Sequence, residues 1–377
     1  MHRASRALLM PVVGALTWLV VAAMPRPCAA QEPDPIAGPF LTPLGSPEEA
    51  VQPGAAQQPQ PTAGPFLTPL GSPEESADTA NWNGGDDRLS PGDVIWESIF
   101  GQPDPNCWRP LPCSTLFSEG WDEPWVPSPN GSGGAPRQGW INAADGNMYR
   151  LWVFTFAQGF NEPPQSNAYL GSYTLLTPFS RRLMLITNIP FVVTNNAHTG
   201  LPTIAPQGQP VATTQSQTTF GDVSFTPRVL LHETKDFSLT ADLTVVTPTG
   251  NAPLAGNTNL VPTIGFWNNI AGGWVVRGGL GINIPLNNNG PDDLISQLAV
   301  GQTLTAHDVP LFGDFTYYLS TVVNTPVSNG SPTSVALTPG IRTHLGHDWY
   351  FLAGLPTPVT KARVADLGMI FWFMKAW

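Results

Sequence analysis

The chain has 377 residues, including 42 Pro and 37 Gly, with only 11% charged side chains and a formal net charge of −11. This composition excludes a mainly helical protein and points to many short strands punctuated by turns. Residues 31–164 hold 17 acidic against 4 basic side chains, while residues 165–377 hold 10 against 9; with no basic face to neutralise phosphate, nucleic-acid binding is excluded.

Arg3 and Arg6, the apolar run from Ala7 to Met24 and the small residues Cys28-Ala29-Ala30 have the form of a signal peptide over residues 1–30, cleaved after Ala30. Pro25, Arg26 and Pro27 do not resemble the Leu-Ala-Gly pattern that precedes a lipidated cysteine. Beyond it, no run reaches the roughly 18 uncharged apolar residues of a membrane helix, so any crossing is made by strands. Residues 31–80 contain an exact duplication, Ala37–Glu49 recurring as Ala63–Glu75 at an offset of 26 residues. Two copies rich in proline and acids cannot form a solenoid or bury a core, so a disordered acidic tail is expected, a linker or a docking site for a periplasmic partner.

Residues 81–147 carry Trp82, Trp96, Trp108, Trp121, Trp125 and Trp140 within Pro/Gly-rich sequence. One or two helical turns are expected over 93–100, with Asp93 near the start, and the remainder reads as an irregular cap or plug pinned by aromatics. After export Cys107 and Cys113 meet an oxidising compartment, where a local disulfide is expected rather than a metal site.

From residue 148 the period becomes two. Phe237, Leu239, Ala241, Leu243 and Val245 alternate with Ser238, Thr240, Asp242 and Thr244. The preceding segment places Val223, Phe225, Val229 and Leu231 opposite Asp222, Ser224, Thr226, Arg228 and His232. The short turn at Glu233–Asp236 makes these a hairpin, and centring it on Lys235 pairs Arg228 with Asp242. The same design repeats: Trp274, Val276, Leu280, Ile282 and Ile284 oppose Arg277 and Asn283, and Val335, Leu337, Ile341 and Leu345 oppose Thr338, Arg342 and His344. Twelve strands result, near 148–158, 168–178, 182–194, 219–232, 237–248, 259–269, 274–286, 296–306, 312–325, 334–345, 349–357 and 364–376, with tight and long connections alternating as in outer-membrane barrels. Pro227, Pro262 and Pro339 fall inside these segments, against the rule that proline removes a ladder bond. The last strand sets Leu367, Met369, Phe371 and Phe373 on one lipid-compatible face and ends at Trp377, matching the pattern read by barrel-insertion machinery except at Lys375.

Together with this strand series, the segments Phe220-Gly-Asp-Val-Ser-Phe225, Ala241-Asp-Leu-Thr-Val-Val-Thr-Pro-Thr-Gly250 and Phe312-Gly-Asp-Phe-Thr-Tyr317 resemble the outer-membrane barrels of the MetA-pathway phenol-degradation family over roughly residues 165–377. The resemblance implies a transporter-like or channel-like protein and carries over no catalytic residues.

None of the six histidines forms a metal-ligand pair at helical spacing, and His344 and His347 flank a tight turn where exposure is expected. Ser328-Asn-Gly330 lacks the partner histidine segment of outer-membrane phospholipases, and Gly-x-Ser-x-Gly, P-loop and calcium-loop motifs are absent, so no enzyme, metal or cofactor is expected. The expected fold is all-β, an antiparallel transmembrane barrel of about 12 strands over residues 148–377, in the outer membrane of a diderm bacterium. Asp222, Arg228, Asp242, Arg277 and Arg342 are the candidate lumen residues, their mixed signs disfavouring strong ion selectivity. The functional reading is a passive channel for small solutes, hydrophobic or aromatic ones among them. The alternatives are a non-conducting structural barrel or envelope anchor and a soluble secreted β-sandwich binding module.

Overall fold

Strands in which Ser, Thr and Arg alternate with large apolar residues can bury the polar set only by closing a sheet around it, with the apolar set left facing lipid. The computed structural model describes residues 89–160, 168–195, 217–250, 258–286, 292–327, 332–361 and 366–377. The signal peptide, the tail and its repeat, Trp82 and Ser328-Asn-Gly330 lie outside these residues.

The strands are β1 (Leu151–Phe160), β2 (Ala168–Pro178), β3 (Leu183–Asn195), β4 (Gln217–Thr219), β5 (Ser224–Glu233), β6 (Phe237–Val246), β7 (Asn259–Ala271), β8 (Trp274–Pro285), β9 (Asp293–Thr303), β10 (Gly313–Pro326), β11 (Ser334–Gly346), β12 (Trp349–Gly354), β13 (Thr357–Pro358) and β14 (Leu367–Ala376). β3 pairs with both β4 and β5, and β11 with both β12 and β13, so each short piece extends its neighbour and the fourteen strands form twelve staves. Each stave pairs antiparallel with the next; β1 pairs with β14, and β10 with both β9 and β11, so the sheet closes without an edge. Every expected strand is present, and the one expected at 296–306 spans Asp293–Thr303.

Two turns on the tight-turn rim use paired left-handed residues, Gly272 and Gly273 at φ 56° and 77° and His347 and Asp348 at φ 49° and 60°, the type I′ signature that suits a twisted hairpin. The internal prolines are accommodated because Pro227, Pro262 and Pro339 point outward at positions where pairing with one neighbouring strand pauses. Phe154, Phe156, Leu243, Ile264, Leu280, Leu298, Leu319 and Phe373 lie among the exposed residues of the outer face. Leu367, Met369 and Phe371 share the face of Phe373, as their alternation in β14 requires. Lys375 is on that face too, its Nζ donating to the His347 carbonyl at 3.0 Å and lying 5.5 Å from the Trp349 ring centroid.

Candidate functional site

Helix α1 (Pro91–Phe100) begins with a capping box: Ser90 accepts from the Asp93 N–H, and the Asp93 side chain accepts from the Ser90 N–H. It is tied to the tight-turn rim where β14 ends and β1 begins: Arg150 donates to the Gly101 carbonyl at 2.9 Å and to the Trp377 carbonyl at 2.7 Å, and the Trp377 indole donates to Ile99 O at 3.2 Å. Its start at Pro91 is two residues before the expected one, because Ser90 is the cap and Asp93 lies within the first turn.

The chain then crosses the same rim. Leu111 forms an antiparallel bridge with Glu233 through bonds of 2.9 and 2.8 Å. A β-bulge between Leu230 and His232 reverses the parity of β5 at this point. Hence His232, expected on the polar inner face, pairs with Leu239 on the outer face, while Glu233, expected in the turn, points inward and is 3% exposed. Its carboxylate accepts from Trp108 Nε1 at 3.1 Å, Arg137 at 2.8 Å, Arg181 at 3.2 Å, and the Ser128 hydroxyl. One buried acid thus gathers four donors from three separate stretches of chain. Arg182, also fully buried, donates to the carbonyls of Glu119, Pro112 and Leu230. Cys107 and Cys113 correct the disulfide expectation: they stand as exposed free thiols, each in its own 3₁₀ turn, with Cys107 Sγ held 3.7 Å from Asp104.

Residues 135–150 enter the barrel without regular secondary structure and touch opposite walls. Trp140 stacks on Tyr318 of β10 with ring centroids 5.1 Å apart, and Ile141 N–H donates to the Tyr318 hydroxyl at 3.2 Å. Asn142, in the left-handed region at φ 58°, donates to Thr338 of β11 at 2.9 Å. Arg277 of β8, which is separated from β10 by β9, donates to the carbonyls of Ala144 and Gln138 and lies 3.0 Å from Asp145. Arg228 of β5 makes two bonds of 2.8 and 2.7 Å to Asp242 and reaches Asp145 and the Asn147 carbonyl. Arg228 and Asp242 are direct cross-strand partners, in the register that the hairpin turn implies. The segment can approach this wall because Gly265 and Gly279 are paired across β7 and β8: a Cβ on Gly279 would lie 2.6 Å from the Ala144 Cβ, and one on Gly265 2.5 Å from the Asp145 carbonyl.

Arg342 is inside and buried, but it lies over Tyr350, 4.2 Å from the ring centroid, instead of joining the Asp145 network. His344 corrects the exposure expected for it: it is 8% exposed and stacks on His307 at 4.1 Å, because its strand parity directs it inward before the turn begins. Asp222 precedes β5 and accepts from the Gly250 N–H at 2.8 Å, so it staples the opposite rim rather than joining the central charge network. Among the described residues no group of three or more His, Cys, Asp or Glu is placed to hold a metal ion.

On the long-loop side of residues 135–150 the lumen retains a cavity of about 170 Å³. One wall is mainly apolar, with Leu151, Val153, Leu170, Leu176, Ile370 and Met374 around the hydroxyls of Thr155, Ser172 and Thr174; the other carries Ser224, Thr226, Thr244 and Thr263 beside Val261 and Ile295, and Asn142, Asp145 and Tyr149 line it from the inserted segment. The apolar wall has a legible source, since β1 and β14 carry large apolar residues at both parities, a pattern that a single lipid-facing stripe does not require.

Among solved structures the chain is similar to "KdgM porin" (7% identity, TM-score 0.41, covering 60% of this chain and 99% of that one). It is also similar to the COG4313 outer membrane channel from Pseudomonas putida F1 (10% identity, TM-score 0.42, 64% and 97%) and to the translocator domain of autotransporter NalP from Neisseria meningitidis (12% identity, TM-score 0.35, 61% and 90%). Curated proteins give no match. The model of the family described as "Putative MetA-pathway of phenol degradation" matches residues 157–361, more than half of the sequence, and the chain belongs to that family.

Proposed function

We propose that the protein is an outer-membrane channel for small neutral solutes with both apolar and hydrogen-bonding groups, aromatic ones included, and that residues 135–150 are its plug. The observation that carries this reading is the cavity lined by a mainly apolar wall and a wall richer in hydroxyls and ending on the inserted segment. An eight-stranded barrel fills its interior with its own side chains, whereas twelve staves enclose space that here is taken up by a separate piece of chain. That piece is held by arginines, hydroxyls and carbonyls rather than by β-ladder bonds, so it can leave without opening the barrel.

The test is conductance in planar bilayers and solute-driven swelling of proteoliposomes, comparing wild type with Asp145→Asn. The substitution removes the carboxylate that joins the segment to Arg228 and Arg277, and it leaves the Arg228–Asp242 pair in the wall. The expected outcome is small, intermittent conductance in wild type and a several-fold increase in the variant, with faster swelling in small aromatic alcohols than in sugars of equal mass. If both proteins insert as closed barrels and neither conducts or swells, the barrel is a structural element of the envelope.

A further inference from the structure

The described apolar surface of this protein extends beyond its strands. In α1 the buried residues Val94 and Ser98 lie one turn apart, and the Ser98 hydroxyl accepts from the Trp125 N–H at 2.9 Å. At 100° per residue, Ile95, Ile99, Trp96 and Phe100 then form one continuous flank, while Asp93 and Glu97 form the adjoining one. Ile95, Trp96 and Phe100 are 42%, 62% and 61% exposed, and the Trp96 and Phe100 rings touch with centroids 4.5 Å apart. Two large aromatics and an isoleucine on a ten-residue helix would be a liability if they faced water alone.

The helix is anchored to the barrel wall rather than to the lumen. Its last turn is bonded to Arg150, at the entry to β1, and to Trp377, at the exit from β14, and it packs near β2. On the outer face at the same rim stand Trp152 of β1 and Trp349 of β12, with ring centroids 5.1 Å apart, and Tyr173 of β2 beside Trp152 at 6.2 Å. Such a cluster marks the level at which a barrel leaves the hydrocarbon and enters the headgroups. The apolar flank of α1 is thus carried at the same rim as this cluster, and an apolar flank beside a charged one is the arrangement of a helix that lies in a membrane interface.

We infer that α1 is an interfacial helix that inserts Ile95, Trp96 and Phe100 into the phospholipid leaflet at the tight-turn rim. The inference is independent of whether the lumen conducts. By docking on lipid and on Trp377 together, the helix ties the start of the rim-crossing chain to the membrane rather than to the barrel alone.

The experiment uses the full mature chain carrying Cys107→Ser and Cys113→Ser, with Trp96→Cys, Phe100→Cys or Glu97→Cys labelled with bimane in phosphatidylethanolamine and phosphatidylglycerol vesicles. Heat-shifted gel mobility verifies the fold of each. The expected result is blue-shifted emission at positions 96 and 100, quenched by brominated phospholipid more strongly when bromine is near the headgroup than near the bilayer centre. The label at 97 should be quenched by aqueous iodide instead. Iodide quenching at all three positions without lipid quenching would overturn the inference. Protection from both quenchers would overturn it as well, since protein would then cover this flank.

Discussion

At the scale of single residues, Glu233 is the most consequential side chain found, because both Arg137 and Arg181 depend on it within buried surroundings. Removing one partner from a buried ion network strands the others, which typically costs roughly 3–5 kcal/mol. Glu233→Ala is therefore expected to release the rim-crossing chain while leaving the strand ladder intact. New tryptic cleavage after Arg137, whose side chain is 4% exposed in the intact protein, checks this, with unchanged heat-shifted gel mobility as the control. Glu233→Gln, which keeps one oxygen to accept from Trp108 Nε1 and presents an NH2 that can donate to the Ser128 hydroxyl, should be cut more slowly than Glu233→Ala. Equal resistance of both variants would show that the network adds nothing to retention. Alternation along β5 and β6 points to Arg228 and Asp242, whereas nothing local in Leu230-Leu-His-Glu233 marks the bulge that turns Glu233 inward.

At the scale of elements, the β5–β6 turn is joined to the chain entering the lumen by Asp236, which accepts from the Ser132 N–H and hydroxyl, each at 2.6 Å, and from Asn269 at 2.7 Å. Burial pushes the Asp236 carboxyl up, but the bonds from Ser132 and Asn269 outweigh it and hold the group below the usual carboxylate range. A carboxyl depressed in the folded state contributes its stabilisation fully above its unfolded pKa, about 4, and loses it as pH falls through the lower folded value. Hydrogen exchange of residues 131–135, corrected for intrinsic rates, should accelerate from pH 7 to acid in wild type. In Asp236→Ala it should already be fast at neutral pH and gain no further acid-dependent increment. A wild-type profile that is flat with pH would remove this clamp from the account. The aspartate was legible as a turn residue, but its partners come from a segment 104 positions away, which no hairpin rule reaches.

At the scale of the whole molecule, closure is the property on which every other statement rests. Because each stave is paired on both sides, the barrel should resist dodecyl sulfate until heated. The protein is expected to migrate faster unheated than boiled on a denaturing gel, and identical mobilities would refute the closed sheet. The sequence by itself determined the number and order of the staves, the hairpin register that pairs Arg228 with Asp242, and the outward face of β14, because a period of two is written in neighbouring residues and a one-residue slip would reverse every side chain. The tertiary structure alone decided what occupies the lumen. The contacts of residues 135–150 span separations such as the 196 positions between Asn142 and Thr338 and the 227 between Arg150 and Trp377, and they depend on a bulge and on Gly265 meeting Gly279 across two strands. Those are products of three-dimensional closure, and no local pattern encodes them.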